Sequence, residues 1–309
     1  MWVCGGQRPS GVDAPSYGGP MSGESVGVDL APITDDDIGA VAAFLHRHLN
    51  ARLSADEWAR CAVPPWSVDA PNHGFLLRQG DDVVGVYLAF YSERVVDGER
   101  RRRCNLAAWC VLEEHRAHGV RLVRAMLRQR DYDFVDLSPS GNVVAINERL
   151  GFSRLDTATA LVPNLPLPSR RGVRVLTAPG EIEAALTGDD LQVYRDHRGA
   201  AAALHFVVRV GQDTCYVIAR RDRRKGLPLF ASLVHVSDPA VLARAGHAPY
   251  RHLLLRHHAL VTLAERRVAG RPPRLSRAQA APRPRMFRSA ALEPHAVDYL
   301  YSELTCVPW

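Results

Sequence analysis

The stretch Trp109–Arg128, WCVLEEHRAHGVRLVRAMLR, constrains this chain most. Its start is apolar enough for a buried strand. A polar segment with one glycine follows, and then Val120, Val123, Met126 and Leu127 recur at helical spacing. A strand, loop and helix in that order place a row of backbone N–H groups at a helix N-terminus, where the dipole favours an anion. A second segment, GNVVAINERLGF from Gly141 to Phe152, follows one more strand. It reads as a helix over Asn142–Leu150 that stops at Gly151. The expected fold class is therefore α/β, a mixed central sheet with flanking helices.

The chain has 309 residues and a net charge of +6, almost all of its basic residues being arginine. At roughly 100–200 residues per domain, two domains are expected. The run Arg100–Arg103 has no interleaved aromatic residue and reads as a solvated hairpin turn, so nucleic acid is not an expected partner. Cys4, Cys61, Cys104, Cys110, Cys215 and Cys306 lack the close spacing of a zinc or redox pair. Cys110 and Cys215 sit in apolar strands, which suits free thiols in a reducing cytoplasm. No apolar run reaches the roughly 20 residues needed to span a bilayer, so membrane insertion is not expected. Residues 1–25, rich in Gly, Pro and Ser, are expected to be disordered, with Met21 an alternative start.

Ordered structure is expected from Val26. Val28–Ile33 reads as a strand, and Thr34 with Asp35–Asp37 as a helix start. Ser54 and Glu57 form a capping box for a short helix that contains Trp58. Strands over 75–77, 83–91 and 103–112 follow, with turns at Gly80 and at Asp97-Gly98, then strands over 134–137 and 155–162. Pro163–Pro168 suits an extended linker over 163–172. Over 173–309 the same order partly repeats: a strand, two helices, three strands, and a helix expected over 250–267. The expected division is 1–25, 26–162, 163–172 and 173–309, with two similar domains in tandem.

The first half resembles the GNAT superfamily of acyl-CoA-dependent N-acyltransferases. Its Gln/Arg-x-x-Gly-x-Gly/Ala signature is matched by Arg116-Ala117-His118-Gly119-Val120-Arg121, with Arg121 where Gly or Ala is usual. Its later Asn-x-x-Ala and Tyr-Glu-Lys-Leu-Gly-Phe segment is matched at Asn142, Ala145, Glu148, Leu150, Gly151 and Phe152, with Asn147 in place of Tyr. The resemblance implies that Arg116, Ala117, His118, Gly119, Val120, Arg121 and Asn142 bind the cofactor, acetyl-CoA or another acyl-CoA. The reading of the residues agrees, since a pyrophosphate needs converging N–H donors and Gly119 lets the backbone come close. Arg121 could pair with a phosphate or crowd the pocket.

By the same resemblance, backbone N–H groups near Cys110 and Val111 would hold the thioester carbonyl. An amine attacks once a base has taken its proton. Asp136, alternating with Phe134 and Ser138, is the candidate base, with a solvated or capping carboxylate as the ordinary alternative. Asn147 stands where an acid often protonates the departing thiolate and can only donate a hydrogen bond. Trp66 and Trp109 are candidate linings of an acceptor pocket or simple core residues.

In the second half, Val236-Ser237-Asp238-Pro239 stands where a signature would be, so that half is read as degenerate for CoA. Its histidines read as core or surface residues, and no metal is expected. Glu303, in an expected closing strand, is either an acceptor-binding carboxylate or an arginine partner. The expected function is transfer of an acyl group, acetyl first, from acyl-CoA to a small-molecule or peptide amine in the cytoplasm. Two alternatives stay open: an aminoacyl transferase using aminoacyl-tRNA, and a non-catalytic CoA-binding or interaction module.

Overall fold

The computed structural model describes residues 27–309 except 97 and 225. The expectations for residues 1–25, Cys4 and the first residue of the Asp97-Gly98 turn lie outside the described residues. The first half runs β1 (Val28–Pro32), α1 (Ile38–His48), α2 (Ala55–Ala62), β2 (Gly74–Gln79), β3 (Asp82–Val96) and β4 (Glu99–Val111). It continues with α3 (Gly119–Leu127), β5 (Asp133–Asp136), α4 (Val143–Arg149), β6 (Ser153–Arg154) and β7 (Thr159–Pro163). The second half runs β8 (Val173–Leu176), α5 (Pro179–Ala185), α6 (Gly188–His197), β9 (Leu204–Val210), β10 (Asp213–Arg224) and β11 (Leu227–Val236). Then come α7 (Pro239–Arg244), α8 (Ala248–His257), β12 (Val261–Glu265), α9 (Arg266–Ala269), β13 (Arg277–Ala278), β14 (Met286–Arg288) and α10 (Glu303–Cys306).

Local chemistry explains the helix starts. The Glu57 N–H donates to Ser54 Oγ (3.2 Å) and the Ser54 N–H to Glu57 Oε2 (2.7 Å), the expected capping box. The Thr34 N–H and hydroxyl both donate to the Asp37 carboxylate, which also accepts Arg78 Nη2 at 2.6 Å.

Two seven-stranded sheets result, ordered β1-β2-β3-β4-β5-β14-β6 and β13-β7-β12-β11-β10-β9-β8. In each, four antiparallel strands are followed by one parallel pairing, β4 with β5 and β11 with β12. The halves exchange strands. β7, expected to close the first sheet, pairs with β12 in the second, and β14 from the far end of the chain enters the first sheet between β5 and β6. Sequence periodicity carries no information about which sheet a short apolar strand joins.

Side-chain alternation sets the layers. Val86, Leu88 and Phe90 of β3 face a central core that also takes α1, α2, α6, Tyr216 and Ile218 of β10, and the segment Leu300–Val307. Tyr87, Ala89 and Tyr91 face the other way, under α3 and α4. On the second sheet, Cys215 and Val217 face α7 and α8. One core thus lies between the sheets and belongs to both halves.

Three local expectations are corrected. The helix expected over 250–267 ends at His257; His258 takes a left-handed φ of 54°, and Val261–Glu265 becomes a strand buried in the sheet. Its apolar run fits either period, and pairing with β11 and β7 decides. Glu303 opens a short helix rather than lying on a strand. Arg103 is not solvated: it is 3% exposed and its Nη1 sits 3.0 Å from Asp298 Oδ1.

Asn105, fully buried, ties β4 to β5 and to α10 at the point where β4 and β5 stop pairing. Its Nδ2 donates to Val135 O (3.4 Å) and its Oδ1 accepts the Glu303 N–H (3.0 Å). Asn105→Ala leaves a buried N–H and a buried carbonyl unsatisfied, so unfolding stability should fall by about 1–3 kcal/mol. Urea unfolding should show a lower midpoint with an unchanged slope.

Candidate functional site

β4 is bonded to β5 only through Arg103–Asn105 opposite Asp133–Val135. Beyond Asn105 the strands part. Part of the cause lies in β4 itself: between Val86 and Leu88 of β3 the partner jumps from Cys110 to Ala107, so β4 carries one extra residue there. Ala108 absorbs it with a left-handed φ of 51°. Such a bulge bends and twists its strand and leaves a residue out of the ladder.

The gap holds a cavity of about 490 Å³. Leu49 and Trp309 line its central-core side, Tyr87 and Val143 its outer side, and Ala107–Trp109 and Asp136 the strands between. It therefore runs through the sheet. Tyr87 stacks on Trp109 with ring centroids 5.1 Å apart, making an apolar wall.

Asp136 is 5% exposed at the end of β5. Asn147 Nδ2 donates to its Oδ2 at 2.8 Å, and the Ser138 N–H to its Oδ1 at 3.3 Å. Burial pushes its carboxyl up to about 7, against the opposing pull of the Asn147 hydrogen bond, and Glu303 adds a like-charge push. A carboxylate poised near neutrality in a cavity can take a proton from an ammonium group and release it again. The structure thus brings together Asp136 and Asn147. Asn147 itself is buried behind Asp136, where it can orient the carboxylate.

The other sequence-named positions fall as follows. Cys110 and Val111 pair with Val86 and Gly85, and the cavity instead touches Ala107–Trp109, before them on β4. The polar loop is a 3₁₀ turn over Glu113–His118, and the Gly119 N–H donates to Arg116 O, which uses one of the donors expected to be free. Arg116, with a side chain 37% exposed, stands 3.6 Å from Glu113. Ala117 and Val120 are exposed and His118 half-buried. A Cβ on Gly119 would lie 3.6 Å from Trp109 Cζ2 and Val111 Cγ2, so the close approach there is to β4. Arg121 does not crowd the cavity: its Nη1 donates to Val28 O (2.5 Å), fastening α3 to β1. Asn142 is exposed beside Gly141 and Val143, which line the cavity.

Trp109 lines the cavity, whereas Trp66 is core and donates to Tyr91 O at 2.8 Å. Sequence reasoning missed Tyr87, Leu49, Arg283 and Trp309, which arrive from four separate segments with no shared motif. The buried His197 has structural partners. His197 Nδ1 lies 2.9 Å from Val193 O, while its Nε2 accepts the Tyr301 N–H at 3.0 Å. Among the described residues no group of three or more His, Cys, Asp or Glu is placed to hold a metal ion. No helix among them is long and apolar enough to cross a membrane.

In the second sheet the helix after β11 has no open N-terminus. Asp238 accepts from the Ala240 and Val241 N–H groups at 2.8 and 2.9 Å, placing a carboxylate where an anion would sit.

No protein-family profile matches the chain, and no curated protein matches it in sequence. Solved structures do match in fold. A GCN5-related N-acetyltransferase from Kribbella flavida is 17% identical, with 85% of this chain and 71% of that one covered and a TM-score of 0.53. Another from Anabaena variabilis is 9% identical over 84% of this chain and 72% of that one, TM-score 0.54. A Pyrococcus horikoshii protein assigned as an acetyltransferase is 13% identical, with 93% and 96% covered and a TM-score of 0.54. Together with the repeated sheet order, these likenesses show that the chain has the GCN5-related N-acetyltransferase fold in a tandem arrangement.

Proposed function

We propose that the protein transfers an acyl group, acetyl first, from acyl-CoA to the amine of a small molecule or peptide, with the first half carrying the chemistry. The observation that carries this reading is Asp136, a buried carboxyl near neutrality in a cavity that pierces the sheet where β4 and β5 part. The fold neighbours named as acetyltransferases support the reaction class.

In this reading the acyl-CoA lies on the outer side of the sheet, beside α3 and α4. Arg116, Ala117, His118, Val120 and Asn142 are the groups open to its phosphates there. Arg121 serves indirectly by holding α3 on β1. The thioester enters the gap, and the backbone N–H groups of the bulged stretch Ala107–Trp109, with those of Cys110 and Val111 beyond, are the donors nearest its carbonyl. The amine comes from the central-core side. Asp136 accepts its proton, the neutral nitrogen bonds to the carbonyl carbon, and the C–S bond breaks. The sulfur leaves as a thiolate, whose modest basicity lets it depart without a dedicated acid; the nitrogen sheds its second proton as the amide forms, and the thiolate takes that proton up, directly or through water, while Asp136 returns its own to solvent. Asn147 holds Asp136 in place and favours its ionised form.

Calorimetry with acetyl-CoA should show micromolar binding, weakened about tenfold or more in Arg116→Glu by charge reversal beside the phosphates. An unchanged affinity in that variant would remove the loop from the site.

Asp136→Asn should lower turnover about 10²–10⁴-fold at pH 7 while acetyl-CoA still binds. Thiol release, followed with an amine panel, measures it. Turnover equal to the unsubstituted protein would exclude Asp136 as the base.

The pH profile carries a second test. Only ionised Asp136 accepts a proton, so the rate should rise with pH through about 7. Asn147→Ala removes a hydrogen bond that favours the carboxylate. The rise should then move upward by about one pH unit, the equivalent of one such bond.

A further inference from the structure

A second, smaller cavity adjoins the first on its central side. It is lined by Arg220, Arg224, Arg283 and Arg285 with only two carboxylates, Asp222 and Glu265. Asp222 is shared, 3.5 Å from Arg224 Nε and 3.3 Å from Arg283 Nη1. Glu265 stands 3.1 Å from Arg285 Nε and also accepts the Tyr299 hydroxyl. Arg220 is 3% exposed, and its guanidinium donates to the carbonyls of Leu304 (3.1 Å) and Val307 (3.3 Å) rather than to a carboxylate. Arg224 Nε and Arg285 Nη1 are buried without a hydrogen-bond partner. Arg283 is half-exposed, and Glu303, which accepts from Ser138 Oγ at 2.6 Å, brings the carboxylates to three, so what the lining leaves unmet is guanidinium N–H donors. A buried N–H without an acceptor is costly, so unmet guanidinium donors around a void mark a place for an acceptor such as a carboxylate.

Size and position narrow the anion. The void is about 40 Å³, room for a group of about three heavy atoms. A planar carboxylate has that size, and it is the partner whose geometry a guanidinium fork matches. Both cavities are bounded by Ser138, Arg283 and Trp309, and Ser138 donates its N–H to Asp136. A molecule with its amine at Asp136 therefore has this void within reach. The larger cavity between them is walled by Leu49, Leu106, Trp109 and Trp309, which suits an apolar substituent.

We propose that the acceptor is an amine that also carries a carboxylate and an apolar side chain, an amino-acid-like molecule whose carboxylate seats among these arginines. This rests on the acyl-transfer reading for the role of Asp136, whereas the carboxylate seat stands on the arginines alone.

The test is a calorimetric titration of the full chain with leucine, phenylalanine and tryptophan, each matched with its primary amide. The acids should bind at least tenfold more tightly than the amides. Arg283→Gln should abolish that preference; its side chain is 48% exposed and Asp222 keeps Arg224 as a partner, and urea unfolding checks that the variant is folded. Equal binding of acid and amide, including none of either, overturns the proposal, as does an undiminished preference in Arg283→Gln. Acetyl-CoA titrated into the same samples separates the two readings. Acetyl-CoA binding without acid preference removes only the carboxylate seat, and acid preference without acetyl-CoA binding upholds the seat and removes acyl transfer.

Discussion

The parting of β4 from β5 after Asn105 is the constraint on which the rest depends. A sheet seals its interior because every strand bonds its neighbours, and here one seam is left open for a stretch of β4. Two features hold it open. The extra residue at Ala108 bends β4 away, and Asn105 at the apex substitutes side-chain hydrogen bonds for the lost ladder. Without the seam, Asp136 would be an ordinary strand-end carboxyl.

The second half contributes structurally to the first. β14 forms the far wall beside β5, placing Met286 opposite Asp136, and the segment before it carries Arg283 and Arg285 to the cavity. The reciprocal loan of β7 to the second sheet, the shared core and the pairing of buried Arg103 with half-buried Asp298 make separation of the halves costly. Burial alone would raise the Asp298 carboxyl, yet Arg103 and Arg94 hold it below its ordinary value. Asp136, with no cation at hydrogen-bond distance, goes the other way. Two carboxyls of the same type are driven apart by their neighbours, one toward a permanent structural charge and one toward proton exchange.

The repeat also sets two different helix starts on one sheet order. After β4 the helical segment carries an exposed Ala117 and Val120 and a half-exposed Arg116. After β11 the equivalent helix is shorter and its first N–H groups are taken by Asp238. Capping by its own carboxylate stabilises the helix and at the same time repels an incoming anion.

Much of the first half was legible because its signals are local. The Ser54–Glu57 box, the helical spacing of α1 and α3, and the hairpin turns each depend on residues a few positions apart. The matched segments at Arg116–Gly119 and Asn142–Phe152 were legible for the same reason. The left-handed stop at His258, the 3₁₀ turn over Glu113–His118 and the burial of Arg103 were not, because competing local states differ little in energy and neighbours decide. Asp136 and Asn147 could each be named from the sequence, but not their mutual hydrogen bond. By itself the sequence determined most element types of the first half, the α/β class and the reaction chemistry worth considering. Only the tertiary structure decided which strand closes which sheet, where the seam opens and which arginines converge on the void. Those depend on contacts between residues up to about two hundred positions apart, whose energies no local pattern encodes.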